Sequence, residues 1–223
     1  MAELKHALST VPAATATYDG VAPQSVDESK KQPSKLFSSL ITPQADGHRM
    51  TFLEVGAALP ETVDYLSRFK CRIHFLDLYG EPMLHQLHEF SPKQKAEWFR
   101  EVLVFPAGTR LDVCLFWDFL CYLDDKALRA FNDALRPWLH RGTRAHGFGV
   151  RHLAIKLNNQ RYGIVDDSTF SVRPCQTLQP QTRPHTQVQM HDMMSCFDFE
   201  QGLLLPDGKL EMLLKARPEA FKS

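Results

Sequence analysis

The sequence predicts an α/β domain with a mostly parallel sheet that closes in a C-terminal antiparallel hairpin. Three observations carry this expectation. Strand, glycine turn, helix, strand and acid follow one another between Thr51 and Asp77, the order of a βαβ unit. Leu111-Asp112-Val113-Cys114-Leu115-Phe116-Trp117 is a nearly continuous apolar run, as strands buried on both faces are. Two further runs, Phe199 to Leu205 and Lys209 to Lys215, flank Pro206-Asp207-Gly208, a strong turn signal.

Residues 1–48 read as a tail. Met1 to Ser34 is rich in Ala, Ser, Thr, Pro, Gln and Lys, and such a segment buries too little apolar surface to offset its ordering entropy. The short cluster Leu36-Phe37-Ser38-Ser39-Leu40-Ile41 either docks on the domain or serves as a partner-binding peptide. The domain itself is expected over 49–217, with 218–223 as a second tail.

Within the domain, Thr51-Phe52-Leu53-Glu54-Val55 is a strand that ends at Gly56. Pro60 suits the first position of a helix, along which Val63, Leu66 and Phe69 recur at helical spacing. Arg72 to Leu76 is the second strand, with Asp77 at its end. Ser91 caps a helix that starts at Pro92 and runs to about Val104. After the Leu111–Trp117 strand, Asp124 or Asp125 caps a helix bearing Leu128, Phe131, Leu135 and Trp138. Arg144 to Val150 is another strand. Arg151 to Thr186 reads as an irregular connection or lid, and His185 to Phe197 as a helix.

A chain of 223 residues, 43% hydrophobic and 23% charged, accommodates one globular domain plus a tail. Lys plus Arg equals Asp plus Glu at 26 each, so no basic excess points to nucleic acid. Five cysteines without C-x-x-C spacing read as thiols in a reducing compartment. No secretory signal opens the chain, and no run approaches the ~20 apolar residues of a membrane span. The expected location is the cytoplasm. His85 and His88 lie three apart, but no third ligand has motif spacing, so no metal site is expected. Nucleophile-elbow and phosphate-loop motifs are missing from the sequence.

These segments together resemble class I S-adenosylmethionine (SAM)-dependent methyltransferases over roughly Thr51 to Arg217. Leu53-Glu54-Val55-Gly56 resembles the family's first motif, and Phe75-Leu76-Asp77 its second. Leu111 to Asp118, with Leu120, Tyr122-Leu123, Asp124 and Ala127-Leu128, resembles its fourth strand and following helix. Leu135-Arg136-Pro137 resembles the Leu-Lys-Pro before its fifth strand. The resemblance implies a doubly wound sheet with helices on both faces, and SAM lying across the C-terminal strand ends.

It also implies cofactor-binding roles for Glu54, Gly56, Ala57, Asp77 and Trp117. Asp77 would accept the ribose hydroxyls, or else cap a helix. Asp118 and Tyr122 are the catalytic candidates, Asp118 as a base or as an orienting group; otherwise Asp118 is a loop cap and Trp117 part of the core. The sequence departs from the family in two places. Its loop Gly56-Ala57-Ala58-Leu59-Pro60 keeps one glycine of Gly-x-Gly-x-Gly, and Phe105-Pro106-Ala107-Gly108 offers no acid for the adenine.

Two functions are therefore expected as alternatives. One is a SAM-dependent methyltransferase acting on a small molecule or protein. The other is a catalytically inactive methyltransferase-like domain that binds or scaffolds a protein partner.

Overall fold

A computed structural model describes residues 29–221 except 42–46, 48, 151, 153, 156, 158, 159 and 176–180. The central sheet contains β2 (Met50–Glu54), β3 (Cys71–Phe75), β4 (Leu111–Trp117), β5 (Leu139–Val150), β8 (Phe197–Leu204) and β9 (Lys209–Ala216), in the order β3-β2-β4-β5-β9-β8. β3, β2, β4 and β5 run parallel, β9 runs antiparallel to β5, and β8 antiparallel to β9. This is the mostly parallel sheet with a terminal hairpin that the sequence predicts. Every residue of β4 is buried, which accounts for its unbroken apolar run.

Helices cover both faces. α1 (Pro60–Leu66) links β2 to β3 and a short α2 (Pro82–Gln86) follows β3, while α3 (Pro92–Val102) and α4 (Asp125–Leu135) pack together on the face opposite α1, as right-handed crossovers in opposite directions require. Pro60 occupies the first turn of α1, and the buried residues of that helix are Thr62, Tyr65 and Leu66. Val63, expected in the core from its spacing, is 41% exposed. Ser91 and Gln94 form a capping box on α3, and Asp124 caps α4 by accepting from the Ala127 N–H at 2.8 Å. Such caps satisfy amide groups that the helix leaves unpaired, each worth about 1 kcal/mol. Phe131 of α4 meets Phe99 of α3 at 5.4 Å and Phe116 of β4 at 5.6 Å. A short α5 (Gln187–Met193) packs against α4.

No strand joins the sheet between β3 and β4 among the described residues. Phe105 instead packs its ring on His74 at 5.0 Å and Trp138 at 5.1 Å. The segment where an adenine-binding acid was sought is therefore apolar packing beyond the sheet edge.

Two expectations are corrected. The lid read between Arg151 and Thr186 contains a β-hairpin, β6 (Gln160–Asp166) and β7 (Thr169–Pro174). The tail drawn to residue 48 includes β1 (Lys30–Pro33), which pairs antiparallel with β7 to give a second sheet, β1-β7-β6. A strand this polar is held by backbone pairing and by the residues after it. The Ser34 hydroxyl donates to Glu211 of β9, and Phe37 is fully buried against Tyr65, His146 and Phe170. The Leu36–Ile41 cluster thus docks on the domain. Residues 1–28, 42–46 and 48 of the expected tail lie outside the described residues.

The second sheet covers the face of β4, β5 and β9 beside α1. This explains an unusual feature of β9, whose Lys209 and Glu211 are 5% and 0% exposed. Glu211 accepts from Ser34 and meets His146 Nε2 at 3.0 Å. Burial pushes its carboxyl up, but the bonds from His146, Ser34 and the Lys35 N–H outweigh that and hold it below the ordinary range.

Candidate functional site

The sequence candidates Glu54, Gly56, Ala57, Asp77 and Trp117 gather at the C-terminal ends of β2, β3 and β4. In a doubly wound sheet ligands bind at such strand ends. Gly56, Ala57, Asp77, Tyr79, Trp117 and Tyr162 line a cavity there of only about 10 Å³, room for roughly one water molecule.

Side chains fill the rest of the space. Glu54 is fully buried at the end of β2. Its Oε1 accepts from the Gly56 N–H at 3.2 Å and from the indole N–H of Trp117, while Oε2 has no partner among the described residues. A Cβ on Gly56 would meet Glu54 Oε1 at 2.9 Å and the indole of Trp117 at 3.6 Å. The hydrogen left by the missing side chain therefore faces the protein's own groups. Burial pushes Glu54 up to about 8, against the bonds from Trp117 and Gly56; the charge of Asp77 adds to the rise. Burial thus disfavours the charged form of Glu54 in the closed cleft.

Trp117 ends β4 with φ at 47°, the only non-glycine in the left-handed region among the described residues. That conformation costs of order 1–3 kcal/mol and is held by packing. The indole lies parallel to the ring of Tyr162, 5.3 Å away at an interplanar angle of 10°, and edge-on to Phe170 at 5.2 Å. Ala57 and Leu59 adopt ordinary φ values. The loop therefore follows its path at these two positions without needing a glycine.

The β6–β7 hairpin seals the cleft. Tyr162 comes from β6, with Lys209 Nζ 5.4 Å above its ring. The Ile164 N–H donates to Thr62 Oγ1 of α1 at 3.0 Å. Glu61, also in α1, accepts from the Ser171 hydroxyl and pairs with Arg173. Gly163 is required beside it: a Cβ there would run into the Glu61 side chain.

Asp77 caps the turn after β3 by accepting from the Gly80 N–H at 3.2 Å, and stays exposed. Asp118 does not cap the turn that follows it. Its oxygens accept instead from the Tyr79 hydroxyl at 2.7 Å and the Tyr162 hydroxyl at 3.4 Å. Burial pushes Asp118 up to about 6, while the Tyr79 bond, the Lys209 charge and the Tyr162 bond oppose that rise. A carboxyl titrating there suits a general base, yet this one is 0% exposed and both oxygens are engaged. Tyr122, the other catalytic candidate, lines a different cavity.

SAM does not fit these residues. The space over Gly56 is taken by Trp117 and Tyr162, and the indole N–H is spent on Glu54. Four of the sequence candidates, Gly56, Ala57, Asp77 and Trp117, line the cleft, together with Tyr79, Gln160, Arg161 and Tyr162, which the sequence reading did not single out. The period-two pattern Tyr162-Gly163-Ile164 was the available signal for the hairpin.

Three or more His, Cys, Asp or Glu side chains do not converge into a metal-binding group anywhere among the described residues. No helix is long and apolar enough to cross a membrane among them.

No family profile and no curated protein matches this sequence. Solved structures similar to it include the 1,6-didemethyltoxoflavin-N1-methyltransferase of Burkholderia thailandensis, with 15% identity, TM-score 0.47, 76% of this chain and 72% of that one covered. A TehB-like SAM-dependent methyltransferase from Corynebacterium glutamicum has 10% identity, TM-score 0.44, 81% and 87% covered. The N-methyltransferase NodS of Bradyrhizobium japonicum has 14% identity, TM-score 0.42, 77% and 88% covered. At these levels the likeness carries no information on activity, substrate or residue roles. By its own sheet order, parallel strands and terminal antiparallel hairpin, the chain has a class I methyltransferase-like α/β fold.

Proposed function

We propose that this chain is a methyltransferase-like domain that has lost SAM binding and acts as a non-catalytic binding or scaffolding module. The observation that carries the reading is the stack of Trp117 on Tyr162 in the space over Gly56, with the indole N–H bonded to Glu54. A cofactor bound there would have to expel two buried aromatic rings and break the bonds between the hairpin and α1. The alternative, an active methyltransferase, requires both changes at once.

The test is thermal denaturation of the full chain with and without millimolar SAM. A ligand at ~100 times its dissociation constant would stabilise the native state by about 2.7 kcal/mol, a plainly visible rise in Tm. No rise is expected. A saturable rise that Asp77→Ala abolishes would overturn the reading in favour of the enzyme.

A further inference from the structure

The edges of the two sheets are not alike. The outer edge of β6 is taken by α1, where Thr62 Oγ1 accepts from the Ile164 N–H. β1 ends in Pro33, which has no N–H to offer, and holds Lys30 and Lys31 exposed. β8 carries a bulge between Phe199 and Gln201, beside Glu200 and its bond to Arg144. Bulges, prolines and covering elements are ways in which folded proteins block a strand edge. β3 has no bulge and no proline, and among the described residues no strand pairs with its outer side.

The backbone of β3 is therefore open on that side. The Lys70 carbonyl accepts from the Met50 N–H at 3.1 Å, and the Leu76 N–H donates to the Glu54 carbonyl at 2.8 Å. In a parallel ladder alternate residues bond to the same neighbour, so Arg72 and His74 also turn their backbone groups to β2. Those of Cys71, Ile73 and Phe75 point away from the sheet. The Cys71 carbonyl is met by Arg49 Nε at 3.1 Å, which places the Arg49 side chain along this edge.

Charge of one sign surrounds it. Between Tyr65 and Leu76 the chain carries Arg68, Lys70 and Arg72 and no acid. With Arg49 they make four exposed cations at one end of β3, in a chain whose acids and bases balance at 26 each. Arg68 lies over the Tyr65 ring, and Lys70 Nζ donates to the Gly47 carbonyl at 2.9 Å. None of the four forms an ion pair among the described residues. The two faces of the strand differ as well. Cys71 Sγ donates to the Leu66 carbonyl of α1 at 3.2 Å, so Ile73 and Phe75, half-buried, share the α1 side. Arg72 and His74 share the other, where His74 meets Phe105.

We infer that the outer edge of β3 binds an extended acidic peptide segment of a partner protein, which adds to the sheet as a further strand. The outward groups of Ile73 and Phe75 supply the ladder bonds. Side chains of an added strand alternate between faces, so the fitting sequence alternates acids, toward Lys70 and Arg72, with apolar residues, toward Ile73 and Phe75. A second copy of this chain would bring like charges together, which disfavours pairing. A nucleic acid would leave the ladder groups unused. The inference does not rest on the reading of the cleft, because a SAM titration does not report on this edge.

The experiment titrates the full chain into a fluorescent peptide of alternating Glu and Val, at low ionic strength, and follows anisotropy. Saturable binding is expected, with slowed hydrogen exchange at the Ile73 and Phe75 amides. The same peptide with N-methylated backbone amides keeps its charges but donates no ladder bond, and should bind roughly tenfold more weakly or worse. Joint reversal by Lys70→Glu and Arg72→Glu should also weaken binding of the unmodified peptide roughly tenfold. Absence of saturable binding overturns the inference, as does equal affinity for the N-methylated peptide or unchanged affinity in the doubly reversed chain. Tighter binding of single-stranded oligothymidylate than of the peptide, or dimerisation of the chain that Arg72→Glu alters, would assign the edge to a nucleic acid or a second copy and overturn it too.

Discussion

Replacing Glu54 by Gln exchanges a buried carboxyl for a neutral group of the same shape. The Gln carbonyl can accept the same bonds from Gly56 and Trp117, and its amide nitrogen would occupy the place of Oε2, which has no partner among the described residues. The consequence is a change in how stability depends on pH. The folded protein holds the Glu54 proton up to about 8, whereas the ordinary value is 4.5, chiefly because burial penalises the charge. Between those values the folded state binds more protons than the unfolded chain, so stability falls as pH rises. The gap of about three and a half pH units, at ~1.4 kcal/mol each, sets an upper limit of about 5 kcal/mol by pH 8. Asp118 titrates within the same window, but it is common to both proteins and cancels in the difference. Urea denaturation of both proteins between about pH 5 and about pH 9 measures the effect through linkage. The Gln variant should gain on the native chain steadily across this range, reaching an advantage of several kcal/mol at its upper end. Parallel stability curves would refute the assignment of a buried, protonated Glu54.

Two more substitutions probe how the second sheet is fastened over the cleft. Gly163→Ala should destabilise the protein by ~1–3 kcal/mol, because the added methyl meets the Glu61 side chain held by Ser171 and Arg173. In a Glu61→Ala background the same change should cost almost nothing, and a double-mutant cycle by chemical denaturation checks it. Ser34→Ala removes a hydrogen bond to the buried carboxylate of Glu211. It should cost about 1.5–3 kcal/mol and speed hydrogen exchange in β1, measured by mass spectrometry; an unchanged exchange rate would mean that this bond does not hold the strand.

The central sheet was legible in the sequence because its signals are local or one-dimensional. The apolar run of β4 follows from burial on both faces, Pro60 and Ser91 mark helix starts by their own backbone chemistry, and Gly208 sits in the turn that Pro-Asp-Gly announces, at φ 83°. The second sheet was not, because its strands depend on partners distant in sequence. Lys30-Lys31-Gln32-Pro33 has no apolar side, and only pairing with β7 makes it a strand. Lys209 and Glu211 alternate with apolar residues as a solvent-facing row would, yet that row is covered by β1, β6 and β7. The site divides in the same way. Glu54, Gly56 and Asp77 stand at strand ends and could be placed from motif order. The fate of Trp117 depended on Tyr162, forty-five positions later, and no spacing within either segment shows that the two rings stack. That the indole lies beside Gly56 needed the fold.

The most direct test of the account is calorimetric titration of S-adenosylhomocysteine, the demethylated product of SAM, into the full native chain. No saturable heat is expected at millimolar ligand, because Trp117 and Tyr162 fill the space over Gly56. Binding of one ligand per chain that is lost in Asp77→Ala would contradict it, and would mean that the hairpin opens to admit the cofactor.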